Sequence, residues 1–244
     1  MQRLRLGMGD PVLAIVVVGL SLFGVAMVYS AGQVDVPNAI VRGVWRSQLI
    51  FLGISVGALL VVARIPTRWF EWAAIPIYVF SILLLMATLV IGTGRGTAAS
   101  VRSWIDLGPI AVQPSQFANI ASILMLGRVM GAWREPPQSL LDLWKPILIV
   151  AVPLALVFLQ PDLGTAMVFG AVLLATLYWG GTPLGLLFLL ISPLLGLFLA
   201  FEGWLFSLYM IGLVAFIYFY RTYLWESILV VTANLAAGTV AVPL

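Results

Sequence analysis

The sequence contains no cysteine and no histidine. Without cysteine there is no disulfide framework, and without either residue a zinc site or a histidine-based triad lacks its ligands and its base. Charge is scarce too. Asp, Glu, Lys and Arg make up 9% of the 244 residues, where a soluble domain carries about 25%. So few charges cannot cover a water-facing globule, and a hydrophobic content of 63% excludes a disordered chain. The net charge is +3, but the twelve basic residues are scattered between apolar runs and form no patch, which argues against a nucleic-acid partner.

What the sequence does contain is a succession of apolar runs, read approximately as 12–29, 49–63, 73–91, 115–130, 147–159, 165–179, 184–200, 204–220 and 228–242. A backbone in hydrocarbon must satisfy its own hydrogen bonds, so each run is expected to be a helix. The expected fold class is all-α, a polytopic transmembrane helical bundle of about nine spans forming a single membrane domain over residues 1–244. The run from Val12 is one of many and ends in no small-residue cleavage pattern, so it reads as a span rather than a signal peptide. Residues 163–201 hold no charge at all, and Gly180-Gly181-Thr182-Pro183 splits them into two helices. No internal repeat is visible.

Lys and Arg set the orientation. With the amino terminus in the cytoplasm, the inner loops hold Arg3, Arg5, Arg64, Arg68, Arg128, Arg134, Lys145 and Arg221, and the outer loops hold Arg42, Arg46, Arg95 and Arg102. Loop 92–114 is then outer and loop 131–146, with Pro136-Pro137, is inner.

Basic residues on the outer side call for a reason. Arg95 lies in Gly92-Thr93-Gly94-Arg95-Gly96, where glycine lets backbone approach a ligand closely. Arg102 precedes Ser103-Trp104-Ile105-Asp106-Leu107-Gly108, and Arg102 and Asp106 would pair across a helical turn. Two readings are open: an amphipathic re-entrant loop capping the bundle, or a cationic cradle for the phosphates of an anionic lipid-linked substrate. Gln113-Pro114-Ser115 is a helix-start signature, with Gln116 and Asn119 three apart on one face of the new helix. Those amides either join helices or line a polar cavity. In Gln160-Pro161-Asp162-Leu163-Gly164-Thr165, Asp162 is read as the cap of the following helix and also as a candidate site residue, because an acid at such a place is often functional. Trp45-Arg46-Ser47-Gln48 puts a cation at the outer mouth of the second helix. Glu202 reads as a solvated loop residue.

Four of these segments, Trp45-Arg46-Ser47-Gln48, Arg102 to Gly108, Gln113-Pro114-Ser115 and Gln160 to Thr165, together resemble the SEDS family of bacterial cell-wall proteins. That family includes RodA, FtsW and SpoVE, and the RodA members are nearest in pattern. The resemblance covers the chain to about residue 200. It implies a peptidoglycan glycosyltransferase of the cell-elongation and shape machinery that polymerises lipid II at the outer face of the inner membrane, beside a class B penicillin-binding protein. Arg46 and Arg102 would belong to the wall of a polar cavity, joined by Asp106, Gln113, Gln116 and Asn119 as substrate-binding candidates, while Pro161, Asp162 and Gly164 would be a structural turn.

Two departures from the family pattern matter. Where the family has Pro-Ser-Glu and, three residues on, Lys, this chain has Gln116 and Asn119, so both charges are replaced together. Losing one alone would bury an unpaired charge. The Pro-Glu-x-x-Thr-Asp-Phe-like motif of the family's catalytic aspartate does not occur, so the chain reads as the first part of a SEDS protein, truncated or naturally short. The catalytic residue is therefore unassigned, and the 244 residues alone are expected not to polymerise lipid II. Two alternatives stand beside the polymerase reading: a non-catalytic paralogue that binds the lipid-linked precursor or a penicillin-binding protein, and a transporter of that precursor. No metal ligand set is read, although a divalent cation held through substrate phosphates would leave little trace in a sequence.

Overall fold

The computed structural model describes residues 11–33, 43–94, 102–106, 108, 111–220 and 223–241. Each apolar run becomes one helix. In chain order the described elements are α1 (Pro11–Ala31), α2 (Val44–Val62), α3 (Thr67–Ile91), β1 (Ile105–Asp106), β2 (Ala111–Val112), α4 (Pro114–Gly131), α5 (Trp144–Phe158), α6 (Leu163–Trp179), α7 (Leu184–Leu199), α8 (Gly203–Tyr220) and α9 (Leu224–Ala241). Several helices extend past the apolar run into its polar flank. α2 takes in Trp45 and Arg46, and α3 takes in Arg68 and Trp69, residues whose apolar bodies continue the helix while their polar ends reach the interface.

Among the described residues, five stretches are long and apolar enough to cross a membrane: Ala14–Ala31, Val44–Val62, Thr67–Ile91, Leu141–Phe158 and Gly203–Tyr220. Leu163–Trp179, Leu184–Leu199 and Leu224–Thr239 are shorter apolar helices. α4 is interrupted by Ser115, Gln116, Asn119, Ser122 and Arg128.

The chain divides into two compact units, Met1–Pro66 and Thr67–Leu244. In the first, α1 packs on α2, and Tyr29 meets Trp45 edge to face at 5.8 Å. In the second, Leu85, Ala118, Leu126, Val150, Val157 and Phe169 form one core among α3 to α6. Leu186, Leu189, Leu213, Ile217 and Val230 form another among α7 to α9.

Two helix-interior prolines show how buried polar backbone is satisfied. A proline frees the carbonyl four residues earlier. Pro153 of α5 frees Ile149, whose carbonyl accepts a 2.8 Å hydrogen bond from the Tyr78 hydroxyl of α3. Pro193 of α7 frees Leu189, whose carbonyl accepts from Ser192 Oγ at 2.8 Å.

Between α3 and α4, the described residues 102–106 are extended rather than helical. Thr93 pairs with Trp104, Ile105 with Val112, and Asp106 with Ala111. Four residues of strand span about 13 Å, so the helical turn expected to pair Arg102 with Asp106 is absent. Gly92 makes the ribbon's entry possible. A Cβ there would meet the Arg102 carbonyl at 2.6 Å and also the Thr88 carbonyl, both of them backbone atoms that cannot rotate aside.

Candidate functional site

The ends of α3, α4, α5 and α6 that carry the ribbon also carry the two signature turns. Gln113 is the extended residue before α4, with φ −103° and ψ 104°, and Pro114 enters the first turn, where its missing N–H has no partner to lose. Asp162 caps α6: Oδ1 accepts from Thr165 N at 3.0 Å and Oδ2 from Thr165 Oγ1 at 2.8 Å. Its negative charge also suits the positive end of the helix.

These two turns meet. Gln113 Nε2 donates to Asp162 Oδ2 at 3.4 Å, and Gln116 Nε2 donates to Gln113 Oε1 at 3.2 Å. A polar chain therefore runs from Gln116 through Gln113 and Asp162 to Thr165, joining segments that are 49 residues apart. Pro161 and Gly164 flank the cap at exposed positions. A Cβ at Gly164 would meet Asp162 Oδ1 at an ordinary 3.7 Å, so space alone does not require glycine there.

The Gln116 and Asn119 side chains diverge. Three residues turn a helix through 300°, leaving side chains about 60° apart, and that angle straddles the edge of the core. Gln116 is exposed, while Asn119 is buried with its Oδ1 unpaired. Ser115 Oγ and Ser122 Oγ on the same stripe are also buried without partners. Interior polar groups are almost always hydrogen-bonded, so this stripe is an unusual feature.

On the ribbon, Asp106 Oδ2 accepts from Thr93 Oγ1 at 2.8 Å. Arg102 is exposed immediately before the buried Ser103. Arg46 lies in the first unit, its guanidinium 5.5 Å from the Trp45 ring centroid. Asp35, Arg42, Arg95 and Gly96 lie outside the described residues. Among the described residues no group of three or more acidic side chains could hold a metal ion.

Several buried polar residues have roles that the sequence did not indicate, Gln160 among them although it begins a motif. Gln160 is buried, donating Nε2 to the Leu85 carbonyl at 3.3 Å and leaving Oε1 unpaired. Glu226 is buried in the first turn of α9, where Oε1 accepts from Leu140 N at 2.8 Å. Asn234 is buried and joins three helices: Nδ2 donates to Ser192 Oγ at 3.0 Å, and Oδ1 accepts from the Tyr209 hydroxyl at 2.9 Å. A lone amide in an apolar run was the available signal for Asn234.

Among the described residues, nine apolar helices define a multi-pass membrane protein. The family model FTSW_RODA_SPOVE, described as "Cell cycle protein", matches residues 11–225, and the chain belongs to that family. It is 34% identical over 184 residues to the probable peptidoglycan glycosyltransferase FtsW of Trichlorobacter lovleyi, covering 74% of this chain and 48% of that protein. It is 30% identical to the peptidoglycan glycosyltransferase RodA of Treponema pallidum, covering 76% of this chain and 42% of the relative. The solved structure of RodA from Thermus thermophilus superposes with a TM-score of 0.57 at 26% identity, covering 69% of this chain and 54% of that one. The chain thus spans about half the length of the curated relatives it matches.

Proposed function

We propose that the protein acts in peptidoglycan polymerisation as a SEDS-type glycosyltransferase of the bacterial inner membrane, with its amino terminus in the cytoplasm. In this reading Arg102, Asp106, Gln113 and Gln116 bind the diphosphate and sugars of lipid II, and Arg46 of the first unit and the buried Asn119 are further substrate-binding candidates. Pro161, Asp162 and Gly164 shape the turn behind it. A guanidinium suits phosphate oxygens, and amides and carboxylates suit sugar hydroxyls. A class B penicillin-binding protein is the partner.

The observation that carries the proposal is the Gln113–Asp162 contact, which joins two motifs of the family resemblance at one end of the second unit. The relatives' names supply the reaction class.

A second reading has its own support. Asp162 is engaged as a helix cap, and neutral Gln116 and Asn119 replace the family's charged pair. A general base must reach the proton it abstracts, and a capping carboxylate is held elsewhere. The 244-residue chain by itself therefore binds lipid II without polymerising it. The test places this chain in nanodiscs with lipid II, measuring lipid retention and glycan polymer separately. Retention that Arg102→Gln weakens, without polymer, is the expected result. Polymer formation abolished by Asp106→Ala or Asp162→Ala would refute the binding-only reading, and no retention would refute both.

A further inference from the structure

At the opposite end of α3 from the ribbon, about 37 Å away along a helix of this length, a groove separates the first turns of α3 from the last turns of α4. It encloses about 470 Å³ and is lined by Arg68, Phe70, Glu71, Ile123, Leu124 and Arg128, among others. We propose that this groove binds an anionic glycerophospholipid, with the phosphate at Arg68 and Arg128 and the upper acyl chain along Phe70, Ile123 and Leu124.

Three observations lead there. The first is depth. Trp69 and Trp72 are 58% and 81% exposed on the same turns of α3, and exposed tryptophans mark the headgroup level of a bilayer. The two arginines therefore sit among headgroups, Phe70 lies at the boundary of headgroups and acyl chains, and Ile123 and Leu124, a turn further along α4 from Arg128, face the acyl region.

The second is the arrangement of the cations. Arg128 Nη1 donates to the Glu71 carbonyl at 2.6 Å, fixing the guanidinium at the groove. One such bond leaves most of its five N–H donors available. The Arg68 guanidinium lies 5.9 Å from the Trp69 ring centroid. A guanidinium pairs well with a phosphodiester.

The third is net charge. Two arginines against the single carboxylate of Glu71 leave the groove positive. A zwitterionic headgroup gains little from that, whereas basic pockets between membrane helices select anionic ones. The site is separate from the lipid II surface and does not depend on that reading.

Native mass spectrometry of the full chain, released from nanodiscs of equimolar phosphatidylglycerol and phosphatidylcholine, tests the proposal. Phosphatidylglycerol should be retained in preference. Arg68→Gln should lower that preference about fivefold, the effect of one surface charge, and Glu71→Gln should raise it by a similar factor. Both substitutions leave the Arg128 bond to the Glu71 backbone carbonyl intact. Excess inorganic phosphate should not displace the lipid. Equal retention of the two lipids, a preference that neither variant moves, or displacement by phosphate would each overturn it.

Discussion

Replacing Asp162 by alanine removes three acceptor contacts at once. The cap to Thr165 N contributes about 1 kcal/mol. Thr165 is only 8% exposed, so its hydroxyl loses a charged acceptor with little water to replace it, costing about 1 kcal/mol more. The 3.4 Å contact with Gln113 adds little at that length. The sum, about 2 kcal/mol, is close to a thirtyfold change in the unfolding equilibrium. Asp162→Asn keeps an oxygen for Thr165 N, and asparagine caps as well as aspartate, so it should cost no more than about 0.5 kcal/mol. Equilibrium unfolding in mixed SDS micelles measures both variants, and amide exchange at residues 163–166 localises the effect. An Asp162→Ala protein as stable as the parent would refute the capping argument. So would an Asp162→Asn protein as damaged as Asp162→Ala.

Other substitutions test the same physical reasoning elsewhere. Tyr78→Phe leaves the Ile149 carbonyl, already freed by Pro153, without a donor, and should cost about 1 kcal/mol in the same unfolding assay. A Cβ on Gly196 would meet Asn234 Oδ1 at 2.6 Å. Gly196→Ala should therefore destabilise by about 1–3 kcal/mol, and combining it with Asn234→Ala should cost less than the sum of the two singles. Asn119→Lys buries an unpaired ammonium and should destabilise by about 3–5 kcal/mol, whereas exposed Gln116→Glu should change stability by less than about 0.5 kcal/mol.

The helices were legible because hydropathy in a membrane chain is a strong local signal: each apolar run became one helix, and Gly180 to Pro183 separated α6 from α7 as expected. The α6 cap was legible for the same reason, since an Asp immediately before an apolar run identifies itself. The ribbon was not. Its strands are two residues long, too short for an alternating pattern, and Arg102 with Asp106 four residues on fits a helical turn equally well.

What joins distant segments stayed hidden. Tyr78 repairs a carbonyl 71 residues away, Glu226 reaches Leu140 across 86, and Gln113 meets Asp162 across 49. None of these pairings has a periodicity. Gln116 and Asn119 read as sharing one face, yet Gln116 is exposed and Asn119 buried, because which side chain faces the core depends on neighbouring helices that a single sequence does not position.

The central claim is that lipid II contacts the end of the second unit where Gln113 meets Asp162. Photo-crosslinking answers it most directly: lipid II carrying a photoreactive group near its diphosphate is bound in nanodiscs, irradiated, and the labelled peptides are sequenced. The account predicts labels within residues 102–116 and 160–165, reduced by Arg102→Gln. Labels concentrated at the other end of these helices, around residues 123–145, would contradict it.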